Sequence, residues 1–208
     1  MRRLAICAVL LALATSVRAD DDGWIKMFDG QTLKGWKANE KPEQWKVENG
    51  TIVAAGPRSH LYYVGDDDKH LPEFESFHFK ADVMTTPGSN SGIYFHVKWQ
   101  DEGFPQTGFE AQVNNSHRDP VRTASIYHLV KNFKAPAKDN EWFTEEIIVD
   151  AKKKTIKTLV NGQVIAEYTE PAGKTGALEV IDQGTFALQA HDPKSTTYYK
   201  NIKVKRLD

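Results

Sequence analysis

Three runs of this chain alternate apolar and polar residues, and within each run the polar residues share one parity. In Ile93-Tyr94-Phe95-His96-Val97-Lys98-Trp99 the odd positions are apolar and the even ones are Tyr, His and Lys. Phe109-Glu110-Ala111-Gln112-Val113-Asn114 repeats the arrangement, as does Phe186-Ala187-Leu188-Gln189-Ala190-His191. Side chains alternate across a strand, so each run has one side that packs a core and one that presents hydrogen-bonding groups. Tyr, His, Glu, Gln and Asn dominate the polar sides, with few of the Lys, Thr and Ser of a bland exposed strand. Such a set points to a ligand surface.

The rest of the chain has the same texture. No long segment has helical periodicity; short alternating runs are separated by Gly, Pro, Asn and Asp, as in an all-β sandwich or barrel. Trp45 to Val53 alternates around Asn49-Gly50, a hairpin turn signal, and Asn161-Gly162 gives a second hairpin. Phe77 to Val83, Glu145 to Val149, Lys154 to Val160, Gln163 to Tyr168 and Tyr198 to Leu207 read as further strands. The connections Gly56 to Phe74 and Ser116 to about Thr123 are long enough to be functional rims, and the first contains Asp66-Asp67-Asp68. No linker or repeat divides the chain, so residues 20–208 are expected to form one β domain.

Residues 1–19 read as an export signal. Arg2 and Arg3 form a charged start, Leu4 to Val17 an apolar run, and Val17-Arg18-Ala19 a small-x-small cleavage site. That run is too short to span a membrane, so a periplasmic or extracellular protein is expected. Cys7 is the single cysteine, so a chain cleaved after Ala19 has neither disulfide nor thiol chemistry, and cysteine-based nucleophiles and zinc sites are excluded. Cleavage removes three of the 27 basic residues and no acid, leaving 24 against 28, a net charge of about −4. No basic stripe marks a nucleic-acid partner, and Lys152-Lys153-Lys154 fits a solvated turn.

Three ordered blocks together resemble one family. Trp24-Ile25-Lys26-Met27-Phe28-Asp29-Gly30-Gln31-Thr32-Leu33-Lys34-Gly35-Trp36 is similar to the "LFDGKTLxGW" opening of the DUF1080, or 3-keto-disaccharide hydrolase, family. Asn90-Ser91-Gly92-Ile93-Tyr94-Phe95 with Gly108 to Val113 resembles its "NSGIYF…GYEVQV" centre, and Gly184 to His191 with Tyr199 to Val204 its "GxIxLQxH…FRNIKV" close. The resemblance implies a concanavalin-A-like jelly roll of two antiparallel sheets. It also implies action on 3-keto-glycosides, whose C3 hydroxyl an oxidoreductase has already oxidised. The chain departs from the pattern at His96, where many members carry Arg, and at Trp142-Phe143, where they carry Trp-Asn.

Ordinary glycosidases flank the scissile bond with two carboxyl groups. The related jelly-roll glucanases carry Glu-x-Asp-x-x-Glu on one strand; the strand here reads Glu110-Ala111-Gln112-Val113-Asn114-Asn115, with two carboxylates replaced by amides. Asp101 and Glu102 in the preceding loop are poor candidates for a partner. A 3-keto sugar needs less. Its ketone acidifies the C2 proton, so one base can form an enolate that expels the C1 substituent, and water then adds to the enone.

On that scheme Glu110 or His96 is the base, His191, Gln189 and Gln112 surround the carbonyl, and Tyr94 or Tyr127 protonates the leaving oxygen. Lys98, Asn114, Asn201 and Trp142 complete the expected substrate contacts, Asn201 by its polar parity. A divalent metal ion on His96, Glu110 and His191 would stabilise the enolate as a Lewis acid, although no His-x-His motif supports it. Two readings compete: a non-catalytic carbohydrate-binding, lectin-like module on the same face, and an ordinary glycoside hydrolase. A solvated polar face is the plain structural alternative. His60, His70, His78, His117 and His128 read as loop or surface residues, Trp99 as core by its parity, and Ser125 lacks any triad context.

Overall fold

Alternating sequence becomes strand wherever one side has a core to cover. The computed structural model describes residues 22–66 and 70–207. The expected export signal, with Arg2, Arg3 and Cys7, lies outside the described residues, as do Asp67 and Asp68 of the first long connection. The early strands are β1 (Ile25–Lys26), β2 (Trp36–Ala38), β3 (Trp45–Glu48), β4 (Thr51–Ala55) and β5 (Ser59–Tyr63). Next come β6 (Phe77–Thr85), β7 (Ser91–Val97) and β8 (Phe109–Val113). The chain continues through β9 (Phe143–Asp150), β10 (Thr155–Val160), β11 (Gln163–Thr169), β12 (Thr185–Ala190) and β13 (Thr196–Arg206). The helical content among the described residues is one 3-10 turn, Pro42–Gln44, and no helix there is long and apolar enough to cross a membrane.

Two antiparallel sheets result, as the jelly roll requires. The larger runs β11-β10-β9-β6-β13-β4-β3, with β1 beside β13; the smaller runs β2-β5-β12-β7-β8. In β6 the inward residues Phe77, Phe79, Ala81, Val83 and Thr85 are buried, while His78, Lys80, Asp82 and Met84 are partly exposed on the other side. From the smaller sheet Phe95, Phe109, Phe186 and Leu188 meet them. Phe79 stacks on Phe186 at 4.8 Å between centroids, and Phe77 meets the same ring edge-on. Each such ring contributes on the order of 2–3 kcal/mol by leaving water. Both hairpins form as expected: Asn49-Gly50 and Asn161-Gly162 take positive φ at both positions, which matches the twist of the strands they join.

Two expectations fail for identifiable reasons. Gly56 to Phe74 is not one long rim, because it contains β5, the strand between β2 and β12. Four of its five residues are buried, so it shows no polar alternation to read. The second failure is at His96, which has φ 56° and stands unpaired between the registered pairs Phe186↔Phe95 and Thr185↔Val97. This is a β-bulge, and the extra residue reverses the parity of everything after it. His96 therefore packs among Phe77, Phe95 and Phe109, while Val97 joins Tyr62, Tyr94 and Ala187 on the opposite side. Trp99 follows Val97: it leaves the core and lies against Tyr62, with the Lys37 ammonium 5.1 Å from its ring.

Candidate functional site

The outward face of the smaller sheet gathers the polar residues whose parity the bulge does not disturb. Tyr94 of β7 pairs directly across from Glu110 of β8, and Gln189 of β12 pairs across from His60 of β5. Beyond the edge strand β8, the segment carrying Ala124 to Tyr127 adds a further row: the Tyr127 amide donates to the Glu110 carbonyl at 2.9 Å. These elements floor a pocket of about 390 Å³. Asn90, Tyr94, Glu110, Gln112, Gln189 and His191 line its floor and side, and Tyr127 lines it from the added row.

Glu110 sits at the centre. The Tyr94 hydroxyl donates to its Oε2 at 2.8 Å, and Gln189 Nε2 donates to the Tyr94 oxygen at 3.0 Å. Burial pushes the Glu110 carboxyl up to about 8; the Tyr94 bond opposes that rise and the charge of Asp119 adds to it. Room for the carboxylate comes from Gly92. A Cβ there would lie 2.9 Å from Glu110 Cγ and 3.0 Å from Cδ, so Gly is the residue that lets this side chain lie down over β7. Gln112 is held by its Nε2 bond to Asn90 Oδ1 at 2.5 Å. Tyr127 donates to Asp119 at 3.3 Å, and burial, then Asp119 and Glu110, raise its hydroxyl so that it stays a neutral donor.

His191 forms the other wall. Its Nδ1 lies 3.2 Å from Asp192 Oδ2, which also accepts from Ser195 at 2.8 Å and has His117 Nε2 at 3.6 Å. Burial works to raise the Asp192 carboxyl, but the bonds from Ser195, the Lys194 amide and His191 hold it below the usual range. A carboxylate at Nδ1 favours the tautomer that carries its proton there and directs Nε2 away from Asp192. His60, expected to be a loop or surface residue, lies in β5 on this same face, fully buried under Phe104, 3.5 Å from Gln189 and edge-on to Tyr94. Burial drives it down to about 3, so it is a neutral strut for the Gln189 amide. His117 is half-buried in the Asp192 cluster rather than at the surface, and the exposed His128 lines the pocket at its mouth.

Five expected site residues lie elsewhere. His96, turned inward by its bulge, donates from Nε2 to the Glu75 carbonyl (2.9 Å) and lines a separate cavity of about 120 Å³ with Asp182; burial lowers it to about 4. Lys98 follows the same reversal, is exposed, and lines that cavity as well. Asn114 follows β8 and is spent on its own loop, donating to the Asp119 and Val121 carbonyls and accepting from the His117 amide. Asn201 belongs to the larger sheet, where a second bulge turns it to Asp82 at 2.6 Å. Trp142 lies on the outer face of that sheet beneath Lys200, whose ammonium is 3.9 Å from the ring.

The metal set His96, Glu110 and His191 is consequently not assembled, since His96 faces away from the other two. Among the described residues no group of three His, Cys, Asp or Glu side chains is placed to hold a metal ion. Sequence reasoning also missed the loop residues of the pocket: Phe104 to Thr107 on one side, Leu178 and Glu179 on the other. Asp101 and Glu102 do not reach it; Asp101 accepts from the Trp99 indole.

Comparison with known proteins agrees with this architecture. A family described as the 3-keto-alpha-glucoside-1,2-lyase-like domain matches residues 23–205. A 3-keto-disaccharide hydrolase of Bacteroides thetaiotaomicron is 29% identical, the match covering 91% of this chain and 80% of that one. Among solved structures, a protein of Parabacteroides distasonis provisionally assigned as a glycosyl hydrolase superposes with a TM-score of 0.71 at 22% identity, over 90% of this chain and 95% of that one. The carbohydrate-binding module CBM66 of Bacillus subtilis superposes with a TM-score of 0.59 at 12% identity, over 84% and 98%. At such identities the superpositions speak to the fold alone.

Proposed function

The chain belongs to the 3-keto-alpha-glucoside-1,2-lyase-like family, and from that premise we propose that it cleaves 3-keto-glycosides by elimination and hydration in the Glu110 pocket. Membership makes it a carbohydrate-active enzyme of the hydrolase or lyase kind. The observation that carries the finer reading is Glu110 itself. It is a carboxylate on the pocket floor, poised near 8, with a neutral hydroxyl bonded to it and amides on either side. A general base works best when its pKa lies near the working pH.

In the proposed reaction Glu110 takes the C2 proton, and the electron pair of that C–H bond moves into the enolate at C3. Gln112 Nε2 spends one N–H on Asn90 and keeps a second for this charge, in a side chain fixed before the charge develops. Collapse of the enolate regenerates the C3 ketone and breaks the C1–O bond. The departing oxygen receives a proton from Tyr127, whose hydroxyl makes only a long 3.3 Å bond to Asp119, whereas the Tyr94 hydroxyl is bonded to Glu110 at 2.8 Å. Water then adds at C1 of the enone with His191 Nε2 taking its proton, Glu110, its proton exchanged with solvent, protonates C2, and the proton on His191 passes through solvent to the Tyr127 phenolate. Atoms balance as net hydrolysis.

A paired-carboxylate hydrolase has one observation in its favour: Glu179 lines the same pocket. That carboxylate is engaged with His128 at 3.2 Å and Lys174 at 3.7 Å, away from the floor. One experiment separates these readings. Protein is incubated in D2O with a 3-keto-glucoside and, in parallel, the unoxidised glucoside. Eliminative cleavage releases aglycone only from the keto sugar, with deuterium at C2, and Glu110→Gln abolishes both. Cleavage of the unoxidised sugar would replace the proposal with ordinary hydrolysis, and binding without release or exchange would make the face a lectin-like site.

A further inference from the structure

The pocket has two chemically different zones. Its floor is polar, built from Asn90, Glu110, Gln112 and Gln189. Its mouth is apolar: Phe104 and Leu178 stand on opposite loops with 43% and 48% of their surface exposed, beside Pro105 and the Tyr127–His128 ring pair. Phe104 and Leu178 are two of the five large hydrophobic side chains exposed among the described residues, and both line this one pocket. Exposed apolar groups gathered at a cavity mark a ligand contact more often than chance placement.

The exposure of Phe104 is built in. Gln100 Nε2 donates to the Phe104 carbonyl at 2.7 Å and to the Glu102 carbonyl at 2.6 Å, and its Oε1 accepts from the Gln106 amide at 2.9 Å. The Gly103 amide then ties this loop to Glu40, itself paired with Arg58. The ring rests edge-on against His60 and under the Arg58 guanidinium, 5.4 Å away. A loop braced in this way presents an aromatic face without having to order it on binding, which is how preorganisation improves affinity. Meanwhile the polar groups at the mouth are already engaged. Gln106 donates to the Phe104 carbonyl, and Glu179 holds His128 and Lys174. A second sugar seated here would bring hydroxyls to a wall with few free partners, and each unpaired hydroxyl is costly.

We infer that this mouth is an aglycone subsite that takes a planar, apolar leaving group, so that the preferred substrates are 3-keto-glycosides of aromatic alcohols rather than of sugars. The inference rests on the keto-glycoside reading of the floor. The sugar lies over Gln112 and Gln189 with its C2 at Glu110, and the aryl group stacks between Phe104 and Leu178.

The test uses binding, so that it does not depend on turnover. Phenyl and methyl 3-keto-glucosides of one anomeric configuration are titrated into the full protein carrying Glu110→Gln, with and without Phe104→Ala or Leu178→Ala. The phenyl glycoside is expected to bind about tenfold tighter, the gain of one good aromatic contact. Phe104→Ala should bring the two ligands near parity by weakening the phenyl glycoside alone. The loop is braced through backbone groups, so this truncation leaves its bonds in place; Leu178→Ala gives a second reading from the opposite loop. Equal affinities in the Phe104 protein, or a phenyl preference that survives both truncations, would overturn the subsite. If both glycosides bind as expected but wild-type protein releases no aglycone from either, the elimination reading fails while the subsite stands. No binding of either ligand removes both.

Discussion

Replacing Tyr94 by Phe deletes one oxygen and tests how Glu110 is tuned. In the native site two effects oppose each other: burial lifts the Glu110 carboxyl, and the bond from the Tyr94 hydroxyl restrains it, leaving it at about 8. A hydrogen bond to a charged acceptor is worth about 1.5–3 kcal/mol. Removing it from the ionised form alone raises the carboxyl by roughly one to two units, at about 1.4 kcal/mol per unit. The base acts only when ionised, so the acid limb of kcat/KM for keto-glycoside cleavage should move from near 8 to roughly 9 or above. At pH 7 the rate should fall about 10- to 100-fold. Well above the new limb it should recover to near the native plateau, because the carboxylate itself is untouched. Aglycone release followed from pH 6 to 10 measures both. A limb that stays in place while the plateau collapses would refute the argument, showing Tyr94 to act on the substrate and not through Glu110.

Two further perturbations separate site geometry from fold stability. Gly92→Ala introduces a methyl group within 3.0 Å of the Glu110 Cγ and Cδ at a position whose backbone is ordinary strand. Displacing the base by such a distance should cost about 100-fold in kcat, with a thermal midpoint close to native; full activity would show that the carboxylate has freedom to move. Glu145 points into the core with no well-formed hydrogen bond to either oxygen, and burial, only partly offset by the Ala124 amide, holds its carboxyl well above the usual range. In the folded state it keeps its proton, whereas in the unfolded chain it ionises above about 4.5. Stability is therefore lost as pH rises from there toward the folded value, by about 1.4 kcal/mol per unit. Glu110 adds a loss of the same sign between about 4.5 and 8. Glu145→Met should raise stability by at least the 1–3 kcal/mol of an unsatisfied buried group and roughly halve the slope. Urea denaturation at pH 7 and 8 reads both, above the range in which His60 and His96, held low by burial, contribute a slope of the opposite sign, and a destabilised variant would contradict the argument.

What the sequence disclosed, and what it hid, follows from the range over which each feature is decided. Alternation is local, so β6, β8, β9 and β12 are legible, as are the hairpins at Asn49-Gly50 and Asn161-Gly162. The parity that placed Tyr94, Glu110, Gln112 and Gln189 on one face holds because nothing interrupts those strands before the residue in question. β5 was hidden for the opposite reason: the core covers Leu61 on one side, while Tyr94, Phe104 and Trp99 cover His60 and Tyr62 on the other, so Ser59-His60-Leu61-Tyr62 is buried throughout and carries no pattern.

The bulge at His96 is the instructive case. Ile93 to Trp99 reads as seven alternating residues, yet one left-handed residue sends Lys98 and Trp99 to the sides opposite those their parity gives. What makes room for that bulge lies far along the chain. A Cβ on Gly108 would come within 2.6 Å of the His96 carbonyl carbon, and one on Gly184 within 2.5 Å. Both glycines stand in the blocks that suggested the family; their work is to let the backbone of β7 swell. The same logic covers Gly92, whose missing side chain is the space that Glu110 occupies. In this sandwich the chemistry is carried by side chains that alternation can assign, but their aim is set by glycines whose partners are fixed only once the strands are side by side.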